Sequence, residues 1–172
     1  MHRFLVCSDI HRNCEGFVKA LNMAAQEGVI EKIFIAGDLE LPPDSVADAI
    51  YNCEGFDKTP DFYMVKGNCD EYNCGQAGDI VIDNIPGGHK ILLTHGHRYQ
   101  VKSDHSILAA IAKAKGCDIA IFGHTHMFCK EYQFGVHLLN PGAINFGYMC
   151  PNGFAILTTD GNGALDFVHI DI

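Results

Sequence analysis

The sequence predicts a single α/β domain of mixed β-sheets over residues 1–172. Short apolar runs alternate with helix-like stretches in the first two thirds of the chain, and short runs separated by Gly, Pro and Asn fill the last third. The 172 residues, 48% of them hydrophobic, are enough to bury one ordinary core. No repeat, linker or low-complexity segment in the sequence suggests a division into domains.

A βαβαβ unit is predicted for the first part of the chain. Its strands are the apolar runs Phe4–Cys7, Ile33–Ala36 and Phe62–Val65. A helix that ends near Gly28 is predicted between the first two runs, because apolar residues recur there at helical spacing: Phe17, Ala20, Leu21, Ala24 and Ala25. A second helix is predicted over Asp44–Tyr51, before the third strand. This order is typical of α/β folds.

A hairpin and a third helix are predicted next. Asp79–Ile85 and Lys90–Thr94 flank Pro86-Gly87-Gly88, which is typical of a hairpin turn. Ser103 is expected to cap a helix that runs from about Asp104 to Lys115. The chain therefore returns to helix once before its β-rich end.

The end of the chain is predicted to be rich in short strands. Asp118–Phe122 is one buried strand, and Asp160-Gly161-Asn162-Gly163 predicts a hairpin turn between the last two. Four short runs follow Asp118–Phe122: Phe128–Phe134, Val136–Leu139, Phe154–Thr159 and Ala164–Ile170. These runs complete the prediction of mixed sheets.

The charge balance argues against a surface that binds nucleic acids. The chain has 12 Lys and Arg against 21 Asp and Glu, a formal net charge of −9 at pH 7. A phosphate-bearing substrate would therefore be attracted by local metal charge and not by a basic surface. No apolar run approaches the ~20 residues of a membrane helix, and the apolar start is too short for a signal peptide. We expect a soluble cytoplasmic protein with no membrane partner.

The eight cysteines, at positions 7, 14, 53, 69, 74, 117, 129 and 150, are predicted to be free thiols. A disulfide framework is not expected in a chain of this size with a good core and no export signal. No CxxC occurs, so a structural zinc cluster built on paired knuckles is not expected either.

Five predicted strands lead into residues that can bind metal ions. These segments are Ser8-Asp9-Ile10-His11, Gly37-Asp38, Gly67-Asn68-Cys69-Asp70, His95-Gly96-His97 and Gly123-His124-Thr125-His126. The carboxyl ends of strands in an α/β sheet converge on one crevice, so we expect one shared site. Carboxylate, imidazole and amide ligands suit Mn, Fe, Zn, Ni or Co better than an all-oxygen calcium site.

Spacing within these segments supports a shared site. Asp9/His11 and His124/His126 are i, i+2 pairs just past strands, so both members can face one side or converge in a tight turn. The glycines at 37, 67, 96 and 123 are expected to let the backbone approach an ion or a phosphate, since glycine has no Cβ.

These motifs, in their order, resemble the calcineurin-like metallophosphoesterase superfamily. They are Asp-x-His, Gly-Asp, Gly-Asn-Cys-Asp, Thr-His-Gly-His and Gly-His-Thr-His, and the resemblance covers about residues 3–145. The short chain and the Gly-Asn-Cys-Asp version resemble the small prokaryotic phosphodiesterase branch, the YfcE-like proteins. The resemblance implies a four-layer αββα sandwich of two mixed β-sheets flanked by helices.

The resemblance also implies two divalent metal ions, with Mn²⁺ first and Ni, Fe, Zn or Co as alternatives. One ion is assigned to Asp9, His11, Asp38 and His126, and the other to Asp38, Asn68, His95 and His124. Asp38 is expected to bridge them, because a carboxylate can bind two cations and an imidazole cannot readily do so. A hydroxide that bridges both ions would attack a phosphodiester in line, without a protein nucleophile.

Other residues beside these motifs are candidates for catalysis or substrate binding. Many related phosphatases have His at the position of Cys69, and a thiol is a poorer general acid, so Cys69 favours diesters or is simply packing. His97 is a candidate proton donor, and Asp70 is expected to orient a histidine or the Asn68 loop. Asn68 is also assigned to substrate binding. Arg12 either contacts a substrate phosphate or points into solvent.

Three functions remain open at this stage. The leading interpretation is a phosphodiesterase acting on a small phosphate ester, and a phosphomonoesterase would use the same residues. The third is a protein-interaction scaffold, since the same fold resembles a retromer subunit with an impaired metal site. The complete Asp9/His11 pair favours catalysis. Assembly into a homo-oligomer is also left open.

Overall fold

The computed structural model describes residues 1–70 and 77–172. The first part of the chain forms β1 (His2–Cys7), α1 (Cys14–Gln26), β2 (Lys32–Ile35), α2 (Pro43–Tyr51) and β3 (Asp61–Met64). The middle forms β4 (Ile80–Ile85), β5 (His89–Thr94), a 3₁₀ turn (His97–Tyr99), α3 (Ser106–Ala114) and β6 (Ile119–Ile121). The end forms β7 (Phe128–Gln133), β8 (Val136–Pro141), β9 (Gly153–Thr159) and β10 (Leu165–Asp171).

The described strands form two five-stranded mixed sheets. The first has the order β10-β9-β1-β2-β3, and the second has the order β4-β5-β6-β8-β7. Strands β1, β2 and β3 are parallel to one another, as are β5, β6 and β8. An antiparallel pair lies at the β10 edge of the first sheet and at both edges of the second sheet. The predictions of a βαβαβ start and of mixed sheets are therefore confirmed.

Side-chain alternation along the strands produces four layers. Leu5 of β1 packs with α1 and α2, whereas its neighbour Phe4 belongs to the core between the two sheets. In β5, Leu93 points into that central core and Leu92 packs against α3. The layers are therefore α1 with α2, the first sheet, the second sheet and α3, which confirms the αββα prediction.

Both predicted hairpins are present, and the start of the third helix differs from the prediction. Ile85 of β4 pairs with His89 of β5 across the Pro86-Gly87-Gly88 turn, and β9 pairs antiparallel with β10. The cap at Ser103 is wrong, since α3 begins at Ser106. The Ser106 N–H donates to the carboxylate of Asp104 at 3.1 Å. Asp104, and not Ser103, thus supplies the side-chain acceptor just before this helix.

The seven cysteines in the described ranges are free thiols, as predicted. Cys74, the eighth, lies outside the described residues. Among the described helices, none combines the length and apolar character needed to cross a membrane.

Candidate metal centre

Loops that follow strands of both sheets meet at one site. The Asp9 N–H donates to the Gly37 carbonyl at 3.0 Å, which joins the loops after β1 and β2. The Gly123 N–H donates to the His95 carbonyl at 3.1 Å, which joins the loops after β5 and β6. The convergence of these strand ends, expected from the sequence, therefore holds for both sheets.

Asp9, His11 and His126 form the first cluster of metal-capable side chains. Asp9 Oδ1 lies 3.1 Å from His126 Nε2 and 3.8 Å from His11 Nε2. The two Nε2 atoms of His11 and His126 lie 3.2 Å apart. Asp9 is fully buried, and a Ser8 hydroxyl and the His124 N–H donate to its other oxygen.

Asp38, His95 and His124 form the second cluster. Asp38 Oδ2 lies 3.2 Å from His95 Nε2, and the rings of His95 and His124 have centroids 5.1 Å apart. The same Asp38 oxygen lies 3.9 Å from His11 Nε2 in the first cluster. Asp38 therefore stands between the two clusters, in the position that the resemblance implies for a bridging ligand.

Three of the histidines are oriented by hydrogen bonds from Nδ1. His11 Nδ1 lies 3.0 Å from the Glu40 carboxylate, His95 Nδ1 lies 2.7 Å from the Ala36 carbonyl, and His126 Nδ1 lies 2.8 Å from the Phe146 carbonyl. Each acceptor oxygen requires the proton to be on Nδ1, so a neutral ring presents its Nε2 lone pair to the site. This is the orientation found for histidines that bind metal ions.

The residues present fit divalent metal ions. Asp9 Oδ1 and His95 Nε2 are buried and lack a hydrogen-bond partner among the described residues, although other ligand atoms lie within 3.2 Å. Facing acceptors repel unless a proton or another cation lies between them. Two divalent cations would satisfy all of these atoms together, whereas a separate proton would be needed for each facing pair.

Electrostatics at the second cluster favours an ionised carboxylate. Burial alone would raise the pKa of Asp38, but the adjacent His95 ring and the amide of Cys69 outweigh it and hold the pKa below its ordinary value. Burial, helped by His95 and Lys102, lowers the pKa of His124 to about 4, so its ring is neutral at pH 7. An ionised carboxylate and a neutral imidazole are the forms that bind metal ions.

The backbone is strained at the residues assigned to metal binding. Positive φ angles occur at Asp9 (53°), His11 (44°), Asp38 (52°), His124 (68°) and His126 (58°). Non-glycine residues adopt this left-handed region infrequently, and such strain is concentrated at functional sites. The surrounding loops hold these five residues in their unusual conformation, which aims their side chains at the site.

Two glycines between the loops make room for side chains at the candidate metal centre. A Cβ at Gly67 would overlap the Asp38 carboxylate, and one at Gly123 would overlap the Ser8 hydroxyl beside Asp9. The sequence predicted that glycine admits an ion or a phosphate. In the structure, glycine at these two positions admits a neighbouring loop.

Two further carboxylates, those of Asp70 and Glu40, hold loops and a histidine of the clusters in position. Buried Asp70 accepts the Gly67 N–H and the Glu40 N–H, both at 2.8 Å, and so joins the loops after β2 and β3. Its contacts are with backbone groups, so Asp70 positions the Asn68 loop and not a histidine. Glu40, which orients His11, was missed from the sequence; its only signal was an acidic residue two positions after Asp38.

The remaining candidate residues lie at the rim of the site. Asn68 is exposed, and its amide donates to Cys69 Sγ at 3.3 Å, while the Cys69 N–H donates to Asp38 at 2.8 Å. Burial and the charge of Asp38 raise the pKa of the Cys69 thiol to about 12. The His97 ring centroid lies 5.4 Å from that of His95. Arg12 is exposed and pairs with Glu40 at 3.3 Å.

A cleft of about 900 Å³ opens beside His124 and His126. Lys102 and the aromatic residues Phe146 and Tyr148 are among its lining residues. Phe146 is 66% exposed, and its ring centroid lies 5.8 Å from that of His11. The cleft thus offers a positive charge and aromatic surface next to the clusters.

Comparisons with known sequences agree with these motifs. Residues 2–162 match the calcineurin-like phosphoesterase superfamily domain. The probable metallophosphoesterase YsnB of Bacillus subtilis (strain 168) is 34% identical over 106 residues, 60% of each chain. A probable metallophosphoesterase of Mycoplasma pneumoniae is 35% identical over 60 residues, 33% of this chain and 38% of that one. The chain thus matches about 60% or less of the length of each of these curated relatives.

Solved structures share the fold across almost the whole chain. A conserved Streptococcus pneumoniae protein, described as a predicted phosphoesterase, has a TM-score of 0.75 at 24% identity and covers 98% of this chain and 89% of its own. Zn²⁺-complexed Vps29 of Entamoeba histolytica has a TM-score of 0.71 at 24% identity, with 98% of each chain covered. An archaeal phosphodiesterase has a TM-score of 0.68 at 22% identity, covering 98% of this chain and 99% of its own.

The domain match includes every motif segment that leads into the two clusters, and the two-sheet architecture is that of the solved relatives. The similarity to YsnB agrees with the resemblance to the small prokaryotic branch. On this evidence, the chain belongs to the calcineurin-like phosphoesterase superfamily.

Proposed function

We propose that this protein is a phosphodiesterase that uses two divalent metal ions, Mn²⁺ first among them, to hydrolyse a small phosphate diester. One observation carries the proposal. Buried ligand atoms of Asp9 and His95 have no hydrogen bond to any described residue, although other ligand atoms lie 3.1 and 3.2 Å away. Such an arrangement is costly unless cations occupy it.

Each ion is assigned its own set of side chains. Asp9, His11 and His126 would hold one ion, and His95, His124 and Asn68 the other, with Asp38 shared. The distances of Asp38 Oδ2 from His11 (3.9 Å) and from His95 (3.2 Å) support the shared role. The role of Asn68 rests on its motif position alone.

Metal ions in this arrangement would supply a water of lowered pKa and positive charge that offsets the charge developing on the phosphate. The chain's own residues hold the ligands in place. Glu40 keeps the His11 ring oriented, and Asp70 fixes the two loops that carry Asp38 and Asn68. This rigid support is what correct positioning of a reacting phosphate requires.

The residues beside the centre favour a diester with a good leaving group. The Cys69 thiol, with a raised pKa, is a weak proton donor at neutral pH. Burial and the charge of His95 lower the pKa of His97, which disfavours the protonated ring that a donor needs. A leaving group that departs without a proton is therefore the better match.

The cleft beside His124 and His126 is the proposed place for an organic group of the ester. Lys102 lines it and would attract the anionic substrate to a chain of net charge −9. Phe146 offers an exposed aromatic face next to His11. Arg12 is exposed and pairs with the Glu40 carboxylate oxygen that does not contact His11. It is proposed as a second contact for phosphate.

Turnover of two chromogenic esters tests the proposal. Metal-stripped protein would be reloaded with Mn²⁺ and assayed on bis(p-nitrophenyl) phosphate and p-nitrophenyl phosphate. We expect metal-dependent cleavage of the diester, with little of the monoester. Asp38→Asn and His124→Ala should abolish it, whereas Asp44→Asn, an exposed aspartate on α2, should not.

Two outcomes would contradict the proposal. Dominant cleavage of the monoester would identify a phosphomonoesterase. Inactivity on both esters, with two Mn²⁺ ions bound per chain, would contradict hydrolysis of simple esters and favour the scaffold interpretation.

A further inference from the structure

A separate group of metal-capable side chains lines the same cleft. Its members are His105, which directly precedes α3, and Cys129 and Glu131 of β7. All three line the cleft that begins at His124 and His126. None of the three is a candidate ligand of the centre already described.

The strand geometry brings the two β7 residues together. Cys129 and Glu131 are two positions apart on a strand, so their side chains point to the same face. Strand β7 is at the edge of the second sheet, and His105 faces it from the start of α3. The His105 ring packs against Phe122, with centroids 5.0 Å apart, which limits its movement.

The distances are close to those that one tetrahedral cation needs. His105 Nδ1 lies 2.9 Å from Glu131 Oε2 and 4.0 Å from Cys129 Sγ, and all three ligand atoms lie within 4.8 Å of one another. Around a tetrahedral Zn²⁺, nitrogen and oxygen ligands are ~3.4 Å apart and nitrogen and sulfur ligands ~3.6 Å apart. A bound ion would therefore change the His105–Glu131 and His105–Cys129 separations by about half an ångström each.

The three donors also define the class of cation. One thiolate, one imidazole and one carboxylate suit Zn²⁺, Co²⁺ or Ni²⁺ and do not suit Mg²⁺ or Ca²⁺. Three protein ligands leave a fourth position open, as in catalytic zinc sites, and here it would face the cleft. Burial and the charge of Glu131 raise the pKa of the Cys129 thiol to about 12, so metal binding would release its proton.

We propose that His105, Cys129 and Glu131 bind a further divalent cation of the Zn²⁺, Co²⁺ and Ni²⁺ class, with an open coordination position toward the cleft. The alternative is an ordinary His105–Glu131 ion pair beside an uninvolved thiol. The site does not depend on the proposed phosphodiesterase activity, because it shares no residue with the centre that carries it.

Cobalt spectroscopy distinguishes a metal site from an ordinary His105–Glu131 ion pair. Metal-stripped protein would be titrated with Co²⁺, because a thiolate ligand gives Co²⁺ an intense charge-transfer band in the near ultraviolet and carboxylate or imidazole ligands do not. We expect this band in the wild type, together with one more bound Co²⁺ ion per chain than in Cys129→Ser by elemental analysis. Cys129→Ser should remove the band.

Control variants identify which thiol contributes. Cys69 lies near His11 and Asp38, so Cys69→Ser is the necessary comparison, and it should retain the band. Glu131→Gln, a conservative change at an exposed residue, should weaken Co²⁺ binding at this site at least tenfold while the fold is retained. A spectrum that Cys129→Ser leaves unchanged, whether or not Cys69→Ser alters it, would overturn the proposal, as would the absence of any such band.

Discussion

Removal of Glu40 should weaken metal binding at one of the two clusters and spare the other. The Glu40 carboxylate accepts from His11 Nδ1 at 3.0 Å and from Arg12 at 3.3 Å. Only the first contact reaches an assigned ligand. In Glu40→Ala the His11 ring loses the group that fixes its orientation and its proton on Nδ1, whereas Asp38, His95 and their contacts are unchanged.

The size of the effect follows from the kind of contact that is lost. Groups that orient a metal-binding histidine are worth about 10- to 100-fold in metal affinity, or about 1.4–2.8 kcal/mol. Glu40→Gln keeps an oxygen that can accept the proton of Nδ1 but loses the negative charge, so it should fall between wild type and Glu40→Ala. We expect the whole loss in the affinity of a single ion.

Isothermal titration of metal-free protein with Mn²⁺, in competition with a chelator, measures both affinities. Glu31→Gln is a matched control, because Glu31 accepts from His2 Nδ1 at 2.7 Å in a comparable pair at the surface. It should leave both affinities unchanged. Wild-type affinity for both ions in Glu40→Ala would refute the argument that Glu40 orients a metal ligand.

Three further predictions concern the loops, the sheets and the cleft. Gly67→Ala should lower metal affinity more than tenfold, since the new Cβ would displace the Asp38 carboxylate. Burial lowers the pKa of Lys32, but the hydrogen bond with Asp83 raises it more, so that the pKa lies above 10.5. Lys32→Met should therefore lower the free energy of unfolding by about 1 kcal/mol at pH 7. This difference between the variant and the wild type should vanish as pH rises through the raised pKa. Phe146→Ala should raise KM for an aryl diester about fivefold by removing about 1 kcal/mol of stacking.

Each of these variants has a control in the same chain. Gly161→Ala meets open space and should leave metal affinity unchanged in titration. Lys58→Met should not alter unfolding by urea at pH 7 or at high pH. Phe134→Ala removes a similarly exposed phenylalanine outside the metal centre, and KM should not change. Equal effects in a variant and its control would contradict the corresponding prediction.

Much of the fold could be predicted because local patterns determine it. The βαβαβ start, the turn at Pro86-Gly87-Gly88 and the last hairpin all depend on short-range signals, and all are present. The parallel pairing of β6 with β8 could not be predicted. It skips over β7, and no local signal in the sequence specifies which strand becomes a neighbour across such a crossover.

The same distinction between local and long-range signals applies to the residues of the candidate site. Six candidate ligands could be named from the sequence because each follows a strand and carries a metal-capable group: Asp9, His11, Asp38, His95, His124 and His126. Two of the acceptors that orient the histidines, the carbonyls of Ala36 and Phe146, could not be found, because any residue offers a carbonyl. The role of Glu40 could not be predicted either, because its proximity to His11 depends on positive φ angles at Asp38 and Glu40.

The central claim is that Asp38 joins two metal ions in one centre, and electron paramagnetic resonance of the Mn²⁺-loaded protein tests it most directly. Two Mn²⁺ ions that share a bridging ligand are exchange-coupled, and their spectrum differs from that of isolated ions. We predict a coupled spectrum at two Mn²⁺ ions per chain, which Asp38→Asn removes and Asp44→Asn retains. A spectrum of isolated Mn²⁺ ions alone, at the same metal content, would contradict the claim.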